Sequence, residues 1–470
     1  MTFIEVKNPY TGAKLAEVPF ANPQTIAQAL TRATAAFQHW QFSSSYERAD
    51  LLTKVAADLS AKKAEFADLI CSEVGKPITL AVIEVERAIT VLQWAAAETQ
   101  RFAGELLRLD THKGARAGFG LSTRFPRGVV LGISPFNFPL NLLMHKVAPA
   151  LACGASILVK PSPYAPLTAK KIGELFQNYH PDLVQVVISD DQATARLCAA
   201  PEIRHISFTG SAAVGWHIRQ AVPTKATTLE LGGNAWALVT EEIPQAEFPK
   251  IAQQIVSGAF GYAGQSCISV QNIAIAETIW TDFMRELRLA TEQTRYGDPQ
   301  LASVLCGPVI SKAASTRLKS AMQSLAKDVE YVQAQNREGA APRADFLIPP
   351  TLLVASRKQA QPQLVAMANE EVFGPVVIAW CCKSLAEMIQ RVNAGRYGLQ
   401  AGLYAKSWQS IETAYAQLNV GGLVVNDVPT TRYDHQPYGG VKDSGLGREG
   451  IRYAMEEMTE AKFLALSSIS

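Results

Sequence analysis

Apolar and polar positions along the chain fall into two periods. Ile26, Leu30, Ala33 and Phe37 recur at spacings of four, three and four, one face of a helix opened by Asn22-Pro23 as cap and first-turn proline. Before it, Asn8-Pro9-Tyr10-Thr11-Gly12 reads as a turn between two short strands. Leu51, Val55, Leu59 and Phe66 extend the helical period through a region from Ser45 to Leu107, broken once at Gly75-Lys76-Pro77. From Leu106 to Phe125 the chain turns polar and basic, and Leu121 to Phe125 alternates like an exposed strand. On pattern alone that stretch is an oligomer arm or a surface hairpin.

Beyond Gly128 short apolar runs alternate with helical stretches. Strands are predicted at Gly128–Ser134, Ser156–Val159, Val184–Ile188, Ile203–Phe208 and Thr227–Leu231, with helices at Leu140–Cys153, Thr168–Tyr179 and Ala193–Ala199. The second half continues with a helix at Phe248–Ala259, strands at Val270–Ile275 and Val376–Cys381, a helix at Ser384–Asn393 and a loop at Ala334–Arg343. Strands alternating with helices indicate an α/β fold with a parallel sheet wound as in dinucleotide-binding domains. Ligands on such sheets bind beyond the carboxyl ends of the strands, so the residues just after each strand carry the candidate chemistry.

Composition narrows the class. A chain of 470 residues, 48% hydrophobic and 18% charged, has room for two or three domains. Its net charge of +2, from 44 basic and 42 acidic residues, gives no nucleic-acid footprint. The apolar run Val147–Val159 is too short to cross a bilayer, and Met1–Glu5 opens no secretory signal, so no membrane association is expected. The seven Cys are scattered and odd in number, which points to a reducing cytoplasm, and no Cys/His spacing suggests a metal site.

The strand ends supply the chemistry. The first predicted strand is followed by Pro135-Phe136-Asn137-Phe138-Pro139, where two prolines stiffen the backbone around an amide that is either an oxyanion donor or a turn Asn. The second ends in Lys160-Pro161-Ser162-Pro163, with a cation suited to a ribose or phosphate or simply to the surface. Thr209-Gly210-Ser211 ends another, small enough for a pyrophosphate to approach a helix N-terminus, though the spacing is not the GxGxxG fingerprint. Glu230-Leu231-Gly232-Gly233 places a carboxylate, base or ion-pair partner, beside paired glycines. Gly264-Gln265-Ser266-Cys267 sets a thiol before an apolar β-branched run, either a nucleophile or a small buried hydrophobe. Glu370-Glu371-Val372-Phe373-Gly374-Pro375 precedes a later strand.

Taken in this order with Pro437-Tyr438-Gly439-Gly440, these motifs resemble the aldehyde dehydrogenase superfamily over nearly the whole chain. The resemblance implies a Rossmann-like cofactor domain, an α/β catalytic domain and a small β oligomerisation arm. It puts the dinucleotide-binding domain at 1–106 and 127–234, the catalytic domain at 235–441, and the arm and tail at 107–126 and 454–470, with a homodimer or homotetramer as the assembly. It assigns Cys267 as the thiolate that attacks the aldehyde, Asn137 with the Cys267 N–H as oxyanion donors, and Glu230 as the base that activates water on the thioester left after hydride transfer. Lys160 and Glu371 are implied as contacts to the cofactor's ribose hydroxyls, Ser211 and Gly210 as the pyrophosphate turn, and Phe373 as a neighbour of the nicotinamide.

NAD is the first expectation for the cofactor and NADP the second. Many NAD-preferring relatives carry a Glu three residues after the Lys, and here Pro163 stands there, so nothing repels a 2′-phosphate; Ser162 and Lys160 can contact it. The segment Asn426–Lys442 is similar to a subgroup of lactaldehyde, phosphonoacetaldehyde and succinate-semialdehyde dehydrogenases. Arg432, His435 or Lys442 would then meet a short polar or anionic aldehyde, unless Arg432 pairs with Asp434 or Asp427 to shape the loop. Two rivals remain: a CoA-acylating dehydrogenase, which Glu230 argues against, and a cofactor-independent cysteine hydrolase or acyltransferase, which lacks a motif-bearing His partner.

Overall fold

The computed structural model describes residues 3–115, 118–325, 329–340, 342–355 and 362–467. Residues 1, 2, 116, 117, 341 and 468–470 of the expected domains, arm, tail and loop lie outside them, as do 326–328 and 356–361 of the expected catalytic domain.

The strand Val129–Ile133 is buried along its whole length, as a strand covered by helices on both faces must be. It stands inside a six-stranded sheet ordered Gly445–Leu446, Ala226–Glu230, Ile203–Thr209, Val129–Ile133, Ile157–Lys160, Val184–Val186. All neighbours are parallel except the short Gly445–Leu446 edge. The chain leaves Val129–Ile133 toward one side of the sheet and later returns to its other side, so the crevice beyond Ile133 and Thr209 is a topological switch point. The helix Asn141–Ala152, every residue of which is buried, packs between this sheet and the helix Ile78–Thr99.

A seven-stranded sheet follows, ordered Glu330–Gln333, Thr351–Val354, Val376–Cys382, Val270–Ala276, Ala235–Val239, Gln400–Tyr404, Gly422–Val425. Only its first pair is antiparallel. Residues Leu231–Asn234 join the last residue of a strand in the first sheet to the first residue of a strand in the second. The site lies at that junction. A third sheet pairs Thr459–Ser467, Gly118–Pro126 and Glu105–Arg108, all antiparallel. Its exposed apolar side chains include Leu106, Phe119, Phe125, Phe463 and Leu464.

Several elements differ from the sequence reading. The expected helical region Ser45–Leu107 is three helices, Ser45–Ala61, Lys63–Val74 and Ile78–Thr99, jointed at Lys62 as well as at Gly75, and it ends at Thr99, with Glu105–Leu107 already in a strand. The joint at Lys62 carries no Gly or Pro, the signals that mark helix ends in a sequence. The expected loop Ala334–Arg343 contains a strand, Asn336–Glu338, that pairs in parallel with Arg295–Gly297. The expected tail begins inside a helix, Ile451–Glu457, because Ile451, Ala454 and Met455 are buried; its strand starts at Thr459. The helix implied after Thr209-Gly210-Ser211 is Ala212–Ala221, while the helices Trp280–Gln293, Lys312–Gln323 and Trp408–Gln417 and the strands Ala235–Val239 and Gln400–Tyr404 are not among the expectations.

Candidate active site

Cys267 follows a turn the backbone adopts at a cost. Tyr262, Ala263 and Gly264 have φ of 53°, 54° and 64°, and left-handed conformations cost non-glycine residues about 1–3 kcal/mol each. Gly264 is required, since a Cβ there would collide with the Gly374 carbonyl. The turn is pinned by buried bonds. Gln265 Oε1 accepts from Ile310 N at 2.9 Å and Tyr262 Oη donates to the Val74 carbonyl at 3.1 Å. Asn137 Nδ2 donates to the Gln265 carbonyl at 2.9 Å, so the first strand end of one sheet is tied directly to the thiol turn of the other. Gly233 closes the third side: a Cβ there would fall 2.5 Å from the Cys267 carbonyl oxygen.

The Cys267 thiol is a shared wall of two cavities. The larger, about 520 Å³, is bordered by Lys160, Ser162, Ser211, Glu371 and Phe373. Burial lowers the Lys160 pKa and pushes Glu371 up to about 7, against the hydrogen bond Glu371 accepts from Gly233 N at 3.1 Å. Ser211 precedes the helix Ala212–Ala221 and its side chain does not cap it, so the first N–H groups of that helix stay open. Phe373 meets the Phe136 ring edge-on at 6.0 Å.

The smaller cavity, about 190 Å³, lies on the other side of the thiol. Leu80, Ile83, Glu84 and Arg87 form one wall, a single face of the helix Ile78–Thr99. Lys76, Phe138, Arg432 and Tyr438 form others. Lys76 pairs with Glu84, and its ammonium stands 3.6 Å from the Phe138 ring centroid. Burial lowers Lys76 to about 8. The Glu84 carboxylate also accepts from Leu140 N at 2.9 Å and Asn141 N at 3.1 Å, capping the helix that follows Asn137.

Arg432 is buried, lies 3.6 Å over the Tyr438 ring, and pairs with Glu449 at 3.3 Å. Neither Asp434 nor Asp427 is its partner, contrary to the alternative raised from sequence: Asp434 takes Arg87 and His145, and Asp427 accepts from Thr431. The Arg432 Nε–H has no hydrogen-bond partner. Glu449 also receives Lys146 Nζ at 2.8 Å, and that ammonium donates to Thr209 Oγ1 at 2.7 Å and Ser207 Oγ at 3.1 Å. Burial works to raise Glu449, but Lys146 and then Arg432 hold it down to about 2.

Glu230 is 3% exposed and neither carboxyl oxygen has a hydrogen-bond partner. Its pKa is raised well above the carboxylate range by burial and then by the Glu449 charge, against Arg432, Lys146 and Arg448. The Cys267 thiol is pushed up to about 12, by burial first, with a hydrogen bond to Tyr438 Oη at 3.3 Å acting the other way.

The structure therefore gathers Cys267, Asn137, Lys160, Ser162, Gly210, Ser211, Glu371, Phe373 and Arg432 around two adjoining cavities. Three residues named from sequence fall elsewhere, Glu230 among them, since it borders neither cavity. The His435 ring stacks on Trp94 at 4.6 Å rather than lining the smaller cavity, and Lys442 Nζ donates to the Asn393 and Gly395 carbonyls at 3.0 and 2.9 Å. Sequence reasoning passed over Arg87 and Glu84, and it named Tyr438 only within a motif, without a role. The first two carried a signal: two charges within an otherwise apolar helical face at positions 80, 83, 84 and 87.

This arrangement has close counterparts. Residues 1–464 match the model of the aldehyde dehydrogenase family. The chain is 35% identical over 467 residues to 3-sulfolactaldehyde dehydrogenase of Priestia aryabhattai, covering 99% of this chain and 95% of that protein. Among solved structures it resembles aldehyde dehydrogenase 21 of Physcomitrella patens in complex with the reaction product succinate, with a TM-score of 0.92 at 33% identity and coverage of 99% and 95%. It also resembles the NADP-dependent glyceraldehyde-3-phosphate dehydrogenase of Bacillus halodurans C-125 complexed with NADP, with a TM-score of 0.91 at 31% identity and coverage of 99% and 96%. A family match over nearly the full chain, on a fold that superposes this well, is conclusive: the protein belongs to the aldehyde dehydrogenase family.

Proposed function

We propose that the protein oxidises a short anionic aldehyde to the carboxylic acid, with NAD or NADP as hydride acceptor and water as the acyl acceptor. The observation that carries this reading is the position of Cys267, which lines both cavities at once. A carbon bonded to that sulfur from the smaller cavity faces the larger one.

The larger cavity fits a dinucleotide. Open N–H groups at Ser211 suit a pyrophosphate, Lys160 and the Glu371 carboxylate suit ribose hydroxyls, and Phe373 supplies an apolar face. When bound there, the dinucleotide would accept the hydride. The chain's own groups do the rest. The Cys267 thiolate attacks the aldehyde carbon. Asn137 Nδ2 spends one of its two hydrogens on Gln265, and the other is free for the oxyanion together with the Cys267 N–H. Glu230 is the base of this reading: burial raises its pKa, which makes its ionised form the stronger base, and it is that form that would take a proton from water attacking the thioester. Pro163 leaves no carboxylate against a 2′-phosphate, so both cofactors are accepted.

The substrate class follows from the smaller cavity. About 190 Å³ holds only a few carbons. Arg432 borders this cavity, and its guanidinium is a charged donor suited to a carboxylate, sulfonate or phosphate. The names of the relatives point the same way, to a sulfonated aldehyde, a dicarboxylate product and a phosphorylated aldehyde. No imidazole is found at the thiol among the described residues bordering the two cavities, which weighs against a cofactor-independent hydrolase.

Domains at 1–106 and 127–234 for the cofactor and at 235–441 for catalysis accord with the two sheets meeting at Leu231–Asn234. The arm at 107–126 and the tail at 454–470 would form the homodimer or homotetramer, since their sheet exposes Leu106, Phe119 and Phe463 and leaves two edges unpaired. The seven scattered cysteines, odd in number, suit a reducing cytoplasm.

The test is the initial rate of reduced-cofactor formation over short aldehydes bearing carboxylate, sulfonate, phosphate or no charge, each with NAD and NADP and without CoA. Preference for the anionic members, lost in Arg432→Met, is expected. Faster turnover of uncharged aldehydes would refute the substrate class, and a rate only with CoA would make the enzyme acylating.

A further inference from the structure

We propose that the Tyr438 phenol belongs to the reacting centre: its hydroxyl donates a hydrogen bond to the Cys267 thiolate, and the Arg432 guanidinium over its ring strengthens that donation. The inference rests on Cys267 being the nucleophile.

The geometry is direct. Tyr438 Oη stands 3.3 Å from Cys267 Sγ, within reach of an O–H···S bond. The ring cannot drift. Tyr438 N donates to the Glu449 carbonyl at 3.0 Å, Glu449 N donates back to the Tyr438 carbonyl at 2.6 Å, and Arg432 covers the ring face at 3.6 Å while pairing with Glu449. A cation on the face of a phenol withdraws density from the ring and makes its O–H a better donor.

The direction of donation follows from the environment. Tyr438 is buried, and burial followed by the Cys267 charge raises its pKa well above the ordinary value, so the phenol keeps its proton. A thiolate beside it can only accept. The charged groups around the sulfur are mixed: Glu371 and Glu230 disfavour the anion, Arg432 favours it, and Lys76, Glu84 and Arg87 border the same cavity. The Tyr438 bond offsets part of what burial costs the thiolate.

The consequence for reactivity can be stated. At equilibrium the thiol proton passes to bulk water, and Tyr438 retains its own. On attack the S–C bond forms and the carbonyl π pair moves to oxygen, so charge leaves the sulfur and the Tyr438 bond weakens. The bond thus increases the thiolate population and lowers its nucleophilicity. With a Brønsted slope of about 0.4–0.5, each unit of lowered thiol pKa gives tenfold more thiolate, about threefold less reactive, for a net gain of about threefold at neutral pH.

The test uses the full-length, cofactor-free protein and a neutral alkylating agent, so substrate recognition by Arg432 does not enter. The second-order rate of Cys267 alkylation by iodoacetamide is followed from about pH 6 to about pH 10, below the thiol's raised pKa, where the rate tracks the thiolate fraction and displacement of the log rate–pH line along the pH axis reports the change in thiol pKa, with Cys267→Ser as the blank. Tyr438→Phe fills the same space. It is expected to move the thiolate titration to higher pH and to slow alkylation at neutral pH about threefold for each unit moved. Arg432→Met is expected to move both in the same direction by less. Superimposable titrations of Tyr438→Phe and the wild type would overturn the proposal, and an unmoved Arg432→Met would overturn its Arg432 half. Should Tyr438→Phe fail to fold, wild-type protein made with 3-fluorotyrosine, a stronger donor, must titrate at lower pH, and no shift would count against the bond. Steady dehydrogenase turnover in Cys267→Ser would instead remove the nucleophile reading, leaving the alkylation comparison as a separate result.

Discussion

Arg87 and Asp434 form a two-pronged ion pair, Nη2 to Oδ1 at 2.6 Å and Nε to Oδ2 at 3.1 Å, that ties the helix Ile78–Thr99 to the loop bearing Arg432. His145 Nε2 reaches the same Oδ1 at 2.9 Å. The loop thus hangs on one carboxylate, and the guanidinium it presents to the smaller cavity is placed through it.

Asp434→Asn is expected to destabilise the protein by about 3 kcal/mol at neutral pH, as removal of one partner from a buried pair does. Burial alone would raise the Asp434 pKa, but the His145 bond and then Arg87 hold it well below the carboxylate range. A depressed carboxyl pKa stabilises the fold above the unfolded value, and that contribution drains as pH falls toward the folded value. The gap between wild type and variant should stay constant between about pH 5 and pH 8 and narrow below about pH 4. Urea midpoints at several pH values measure it, and a gap that widens in acid would mean Asp434 is not held as an anion.

Lys76 and Glu84 make a second buried pair, one that also caps the helix following Asn137. Lys76→Met and Glu84→Gln should each cost about 3 kcal/mol. The double variant should cost less than their sum by about 1–3 kcal/mol, because the second change removes a charge the first left unpaired. Simple additivity in a denaturant cycle would show that the two groups do not act as a pair.

What could be read from the sequence follows from where information is local. The buried strands and the residues beside them were legible because apolar runs and Pro or Gly turns are local signals: Asn137, Lys160 and Ser211 sit at or just beyond strand ends, and Cys267 follows the Gly264 turn ahead of the strand Val270–Ala276. The joint at Lys62 and the pairing of Asn336–Glu338 with Arg295–Gly297 depend on contacts far along the chain, and no local signal marks them. The same holds for the charges. Nothing near Arg432 in sequence names Glu449 as its partner, nor Arg87 and His145 as those of Asp434, since each pair forms between elements packed together in space. His435 is expected at the substrate because its segment resembles a loop that borders the substrate mouth in the family, yet its ring stacks on Trp94.

Pro163 borders the larger cavity three residues beyond Lys160. Pro163→Glu places a carboxylate where a 2′-phosphate would come. The expected result is a loss of kcat/KM with NADP of about tenfold or more, roughly 1.4 kcal/mol, with the NAD value changed by less than about threefold. Pro163→Ala controls for the loss of the ring. If Pro163→Glu weakens both cofactors equally, the adenosine ribose lies elsewhere and Pro163 does not govern selectivity.

Glu230→Gln separates activity from stability. As the proposed base, Glu230 works only when ionised, and its raised pKa means that thioester hydrolysis should increase with pH through a value above the ordinary carboxylate range. Gln cannot take the proton, so reaction with aldehyde and cofactor should leave the acyl group on Cys267, visible by mass spectrometry. The fold should respond in the opposite sense. With the folded pKa above the unfolded value, the folded state binds the extra proton and its stability falls as pH rises between the two. The neutral Gln is free of that cost, and its carboxamide replaces two carboxyl oxygens that lack partners. At neutral pH the variant should therefore be as stable as the wild type or more so, by about 1 kcal/mol, the pattern of a site that gives up stability for activity. Normal turnover in Glu230→Gln would place the base elsewhere, and a marked loss of stability would mean that the carboxylate is ionised and paired in the fold.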